Sequence, residues 1–278
     1  MGLGGHLTWT AVARDIHLTT GLRCIPLELH DGLIKPIVSE MFINNPHIWQ
    51  PGQECENLYP LQLNAPNANY CKQDTPIKAV HRQDCHIIDQ IAEAFNVNRT
   101  KLKCELFFTH DEELEIAHEL QELPTNFIAI EPESHYKYTV NRTYPFEKWQ
   151  SVIDECSELK FVQVGLGRNK LKNCIDATST SSFRIACGLI RSADLFVSSE
   201  GGLVHGATAV NTRSLVIMTG YQSEKMVCYP QNEKINISSH GPCGMKTRCE
   251  SCVEDATNHD YNQISKKLES FYLEVNFY

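Results

Sequence analysis

The 278-residue sequence has no run approaching the ~20 consecutive apolar residues of a membrane-spanning helix, and its mean hydropathy is −0.31. It has no basic excess either: 25 Lys and Arg stand against 34 Asp and Glu, a net charge of −9. Without a basic field, nucleic acid is excluded as a principal partner. An anionic small ligand would have to be held locally, by helix N-termini and one or two basic side chains. Met1 leads into Gly-Leu-Gly-Gly-His, with neither the basic region nor the apolar stretch of a secretory signal. The Ser or Thr that N-myristoylation requires at position six is replaced by His6. No strand is followed by G-x-G-x-x-G, which disfavours a hydride-transfer dehydrogenase. These absences predict a soluble, cytoplasmic protein. Disorder is excluded by a 42% hydrophobic share, enough for a substantial core.

Cysteine is not scarce. Twelve are many for a chain without a secretory signal; nine are scattered and read as buried thiols, while Cys243, Cys249 and Cys252 cluster. Glycosylation sequons begin at Asn98, Asn141 and Asn236 and carry little weight without a signal.

The second half reads clearly. Apolar runs at Phe127–Ile130, Phe161–Val164, Leu195–Val197 and Leu215–Met218 have the length of buried strands. Helical patterns separate them: Phe146 to Leu159 behind Pro145, a stretch carrying Phe183 to Ile190 behind a Thr/Ser cluster, and Gly201-Gly202 through Ala209. Such alternation predicts a parallel sheet covered on both faces, a doubly wound α/β domain.

The first half is vaguer. Leu7 to Ile16 and His86 to Phe95 read as helices, Ile25–Leu29, Ile34–Val38 and Leu106–Phe108 as strands, and Asp111 to Leu123 as an acidic helix. Residues 45–80, rich in Asn, Pro and Gln, read as long loops. Length allows about two domains, and Pro124 divides them into 1–124 and 125–278.

Three constellations offer chemistry. Ser199-Glu200-Gly201-Gly202-Leu203-Val204-His205 lies where a parallel strand gives way to a helix, the place where open α/β sheets bind ligands. Its glycines let backbone approach a ligand, and first-turn N–H groups with the positive dipole end suit a diphosphate. Glu200 can accept hydrogen bonds from sugar hydroxyls, and His205 can donate to a phosphate oxygen; a helix-packing turn with a buried histidine is the competing reading. Gly2-Leu3-Gly4-Gly5-His6 is a second glycine loop opening a helix, with no strand before it. Arg142-Thr143-Tyr144-Pro145 places an arginine before a helix start, where it can pair with phosphate or simply be solvated.

These stretches, in this order, resemble the heptosyltransferase-like glycosyltransferases, inverting enzymes of the two-domain GT-B fold that build bacterial surface glycans. Glu200 to Ala207 resembles the donor-site signature, Gly2 to Leu7 the N-terminal glycine loop, and Arg142 to Pro145 the basic-aromatic-proline element. Cys243-Gly244 with Cys249 and Cys252 resembles the cysteine-bearing tail. The resemblance implies an α/β, GT-B-like fold: two Rossmann-type doubly wound domains facing a cleft, the N-terminal one shortened. It also implies sugar transfer from a nucleotide-diphosphate donor to a glycan or lipid-linked glycan acceptor, with peripheral membrane contact by such acceptors. No metal is needed for that chemistry. The implied donor site comprises Arg142, Gly165, Gly167, Ser181, Glu200, Gly201, Gly202, Leu203 and His205, and the acceptor-side loop Gly4 and Gly5. The family's loop carries an aspartate as base where this chain has Gly5; His6, beside it, is the substitute catalytic base. The absent aspartate also permits a second reading, a degenerate transferase that binds nucleotide sugar without turnover. A nucleotide-sugar epimerase is a weaker third. Cys243, Cys249 and Cys252, with a fourth ligand from Cys228, His240 or His259, would make a structural zinc or iron site; a disulfide or free thiols are the alternatives.

Overall fold

The computed structural model describes residues 2–276, apart from 55, 66–67, 69–70, 73–74, 134–137 and 179–181. Helix α1 (Leu3–Thr20) opens it, followed by β1 (Cys24–His30), β2 (Leu33–Pro36) and β3 (Tyr59–Gln62). The short hairpin β4 (Cys71–Lys72) and β5 (Val80–His81) leads to helices α2 (Ile87–Ala94) and α3 (His110–Leu120). Alternation then sets in: β6 (Ile128–Glu131), α4 (Phe146–Glu155), β7 (Phe161–Gln163), β8 (Ile175–Asp176), α5 (Phe183–Ser192), β9 (Leu195–Ser199) and α6 (Gly202–Ala209). The chain continues through β10 (Ser214–Met218), α7 (Glu224–Val227) and β11 (Asn232–Asn236), ending in α8 (Glu250–Asn258) and α9 (Asn262–Asn276).

The six strands from β6 onward form one sheet in the order β11-β10-β9-β6-β7-β8, all pairs parallel. Counted from β6, this is the doubly wound nucleotide-binding order, and its strand order reverses between β6 and β9. Alternate residues explain how both faces are covered. Ile128, Ile130, Leu195, Val197, Leu215 and Ile217 pack with Trp149 and Val152 of α4 and Ile264 and Leu268 of α9. Phe127, Ala129, Val162, Phe196 and Val216 pack instead with α5 and α6.

The N-terminal half is smaller: a three-stranded sheet, β2-β1-β3, in which β1 pairs antiparallel with β2 and parallel with β3. Helix α1 is buried from Leu7 to Ile16 because it is enclosed by α2 on one side and α6 on another, so one core spans both halves. Two of its buried threonines are satisfied locally: the Thr8 and Thr10 hydroxyls donate to the Gly5 and Leu7 carbonyls at 2.7 Å each.

Two sequence expectations need correction. Residues 106–108 form no strand; their extended segment runs along α1 and α5, and side chains rather than a ladder satisfy its backbone. Arg14 donates to the Lys101 and Lys103 carbonyls, Thr10 accepts from Glu105 N–H, and Arg184 donates to the Phe107 carbonyl. Conversely, the loop-like stretch 45–80 contains β3, whose Tyr59-Pro60-Leu61-Gln62 holds an edge position where a proline without N–H is tolerated.

Candidate active site

At the order reversal, β6 and β9 end side by side in Glu131 and Ser199-Glu200. Gly201 is the extended N-cap of α6 and offers no side chain, so the first-turn N–H groups have no side-chain cap. Helix α1 likewise begins behind Gly2 without a side-chain cap. The two glycine loops meet. A Cβ on Gly4 would stand 2.6 Å from the Gly202 Cα, so these glycines let the first turns of α1 and α6 touch. Gly4 thus serves the helix contact. Two positive helix ends thereby lie together at the mouth of the sheet.

Four charged or titratable side chains converge here. Glu131 and Glu200 are both buried, and burial pushes each carboxyl up to about 8 despite the opposing charge of Arg142. Glu200 Oε1 accepts from Thr219 Oγ1 and Gln222 N–H at 3.3 Å each. Glu131 Oε2, Glu200 Oε2, Arg142 Nε and Ser199 Oγ are buried without a hydrogen-bond partner among the described residues. Such orphans are costly unless a ligand completes them. The Arg142 guanidinium lies 5.5 Å from the ring centres of both Tyr138 and Tyr221, an aromatic slot that fixes its direction. His205 is buried one turn into α6, held neutral with its pKa lowered to about 4 by burial and by Arg142. Its Nδ1 lies 2.7 Å from the Tyr229 hydroxyl.

The remaining predicted residues are placed as follows. Gly165 follows β7 with φ +83°, a conformation that favours glycine, and a Cβ there would lie 3.1 Å from Glu131 Oε1. Gly167 does not face open space: a Cβ would collide with Thr178, whose hydroxyl donates to Asp176 at 2.6 Å. Ser181 lies outside the described residues. Leu203 is buried in the first turn of α6, and Gly201 and Gly202 are half-exposed beside it. Gly5 and His6 sit in the first turn of α1, where His6 Nδ1 lies 2.9 Å from Ser39 Oγ, and burial lowers its pKa. Glu131 was missed by sequence reasoning. Its signal was a carboxylate closing an apolar strand just before Pro132.

The cysteine cluster lies apart, between the loop after β11 and the start of α8. Cys243 and Cys252 Sγ atoms are 3.4 Å apart, and His240 Nε2 is 3.5 Å from Cys252 Sγ. Ligand atoms of His240, Cys249 and Cys252 lie within 4.8 Å of one another. A tetrahedral site with ~2.3 Å metal–sulfur bonds has sulfur atoms ~3.8 Å apart, so the spacing fits a cation. The donor chemistry fits as well. His240 Nδ1 is 2.6 Å from the Gly241 carbonyl, so it donates there and leaves the Nε2 lone pair facing the thiols. Hydrogen bonding from Cys252 lowers the pKa of the Cys243 thiol, toward the ligating thiolate. Cys228 and His259 are elsewhere, against Met218 and Tyr144. All ten described cysteines are free, so no disulfide occurs among the described residues.

No family model matches the sequence, and no curated relative matches it. Solved structures do. A glycosyl transferase family 9 protein from Veillonella parvula DSM 2008 superposes with a TM-score of 0.67 at 13% identity, covering 99% of this chain and 95% of that one. The iron-containing dodecameric glycosyltransferase TibC from enterotoxigenic E. coli H10407 gives 0.68 at 12% identity, covering 99% and 75%. TibC described as a heptosyltransferase in complex with ADP-D-beta-D-heptose gives 0.67 at 14%, with the same coverage. The chain has a GT-B-like fold. Among the described residues no helix is long and apolar enough to cross a membrane.

Proposed function

We propose that this protein is an inverting glycosyltransferase that moves a sugar from a nucleoside-diphosphate donor to a glycan or lipid-linked glycan acceptor. One observation carries the reading. Uncapped N–H groups of α6, Arg142 and neutral His205 converge where β6 and β9 end. That set is suited to a leaving diphosphate, whose negative charge grows as the glycosidic bond breaks. Its likeness in fold to glycosyltransferases, one of them in complex with an ADP-sugar, supports the same assignment.

In this mechanism residues 125–278 bind the donor and residues 1–124 present the acceptor. Arg142, the N–H groups of Gly202 and Leu203, and His205 stabilise the diphosphate; Glu200 binds the donor sugar. The Gly165 to Gly167 turn flanks the nucleoside. His6 takes the proton of the acceptor hydroxyl as that oxygen attacks the anomeric carbon from the face opposite the diphosphate. Ser39 orients the His6 ring. His240, Cys243, Cys249 and Cys252 would hold a structural zinc or iron ion, which would tie the loop after β11 to α8. The free thiols fit a cytoplasmic setting.

The test is a panel of ADP-, UDP- and GDP-sugars with acceptor glycans, reading both nucleotide binding and nucleotide release. Release that depends on acceptor and falls at least ~100-fold in His6→Ala is expected for loss of a general base. Binding without release under any condition would sink the catalytic claim and favour a nucleotide-sugar-binding protein.

A further inference from the structure

Beneath α6 a polar chain crosses from one half of the molecule to the other. Tyr229, buried after α7, places its hydroxyl 2.7 Å from His205 Nδ1 and 3.0 Å from Cys104 Sγ. Cys104 belongs to the extended segment that runs along α1. The hydroxyl has one proton and two neighbours. A thiol sulfur is a weak acceptor and an imidazole nitrogen a strong one, so the phenol proton belongs on the bond to His205. Cys104, whose thiol burial pushes up to about 12, keeps its proton and donates to the Tyr229 oxygen. The tyrosine ring is held in place: His86 lies against it with tilted rings and centres 4.6 Å apart, and His205 meets it edge-to-face at 5.6 Å. With Nδ1 accepting, His205 carries its proton on Nε2. That side of the ring is turned to the helix contact: its Cδ2, adjacent to Nε2, is the atom a Cβ on Gly4 would meet at 3.4 Å.

We propose that Tyr229 is a positioning residue that holds His205 as the Nε2–H tautomer, so that this neutral histidine presents a proton to the donor diphosphate. The inference rests on the donor-site reading above. A histidine of the opposite tautomer would turn a lone pair toward the phosphate oxygens and repel them. The phenol therefore sets which of two neutral states of His205 the site contains, without touching the ligand itself.

Long-range proton–nitrogen NMR of the full chain tests this, with the His205 signals assigned from their loss in His205→Gln. The wild type is expected to show His205 as pure Nε2–H. Tyr229→Phe removes only the hydroxyl and should give mixed tautomers, with ADP affinity down roughly three- to tenfold by calorimetry. Cys104→Ala should retain the wild-type tautomer, because the thiol only donates to the phenol. An Nδ1–H tautomer in the wild type, or an unchanged tautomer in Tyr229→Phe, would overturn the proposal. So would mixed tautomers with unaltered ADP affinity. Failure of the wild type to bind ADP, UDP or GDP, with the tautomers as stated, would instead overturn the donor-site reading while supporting the hydrogen-bond assignment.

Discussion

Gly4→Ala and Gly202→Ala place the same methyl group on opposite sides of one helix contact, yet only the first should be destabilising. On Gly4 the new Cβ would sit 2.6 Å from the Gly202 Cα, a backbone atom that cannot rotate away. Ordinary contact is ~3.5–4.0 Å, so the first turn of α1 must retreat by about 1 Å. Overpacking of this kind costs ~1–3 kcal/mol, against at most ~1 kcal/mol gained by replacing glycine with alanine in a helix. Because the clash is with backbone, the upper half of the overpacking range, ~2–3 kcal/mol, applies. The net is a loss of ~1–2 kcal/mol, which for a chain of this size lowers the melting temperature by ~2–4 °C per kcal/mol. On Gly202 the nearest atom is the Phe183 ring at 3.3 Å, a side chain able to yield. There the helix-propensity gain offsets the strain, and stability should stay within ~0.5 kcal/mol of wild type. Urea denaturation of both variants measures the difference. Equal stability of the two, or a stabilised Gly4→Ala, would refute the close approach of α1 and α6.

Three further outcomes follow from other contacts. Arg184 is buried and ties α5 to Glu112 and to the Glu40 and Phe107 carbonyls, so Arg184→Ala should cost ~3–5 kcal/mol in denaturant unfolding. Glu131 has a pKa of about 8 when folded against 4.5 for an exposed glutamate. The folded state therefore holds the extra proton, and its stabilising effect, complete below pH ~4.5, is lost as pH rises to about 8. Glu131→Gln should flatten that part of the stability–pH profile; an unchanged slope would show that Glu131 ionises normally. Strong chelators should lower the melting temperature of the wild type and leave Cys252→Ser unaffected, with elemental analysis showing about one zinc or iron per wild-type chain only.

The four central strands β6, β7, β9 and β10 were legible because each is an apolar run, and runs buried on both faces need no alternation to be recognised, whereas the polar edge strands β8 and β11 carried no such signal. The glycine-plus-histidine segment at 199–205 was legible for the same local reason. What escaped reading depended on distant partners. Phe107 and Phe108 look like strand residues, yet their segment is held by Arg184, more than seventy positions away, and by α1. Glu131 looks like a strand end until β6 and β9 are seen to pair, which brings its carboxyl beside Gly165 and the first turn of α6. His240 could not be chosen over Cys228 or His259 from spacing, since the loop after β11 decides which nitrogen meets Cys252.

The most direct measurement is a structure of the protein bound to a nucleoside diphosphate, with Arg142→Ala titrated in parallel by calorimetry. Phosphate oxygens are expected within hydrogen-bonding distance of the Gly202 and Leu203 N–H groups and of His205 Nε2. The variant should lose about ten- to a hundredfold in affinity, as expected for a charge-assisted hydrogen bond. A diphosphate bound away from the start of α6, or full affinity without Arg142, would contradict the donor-site assignment.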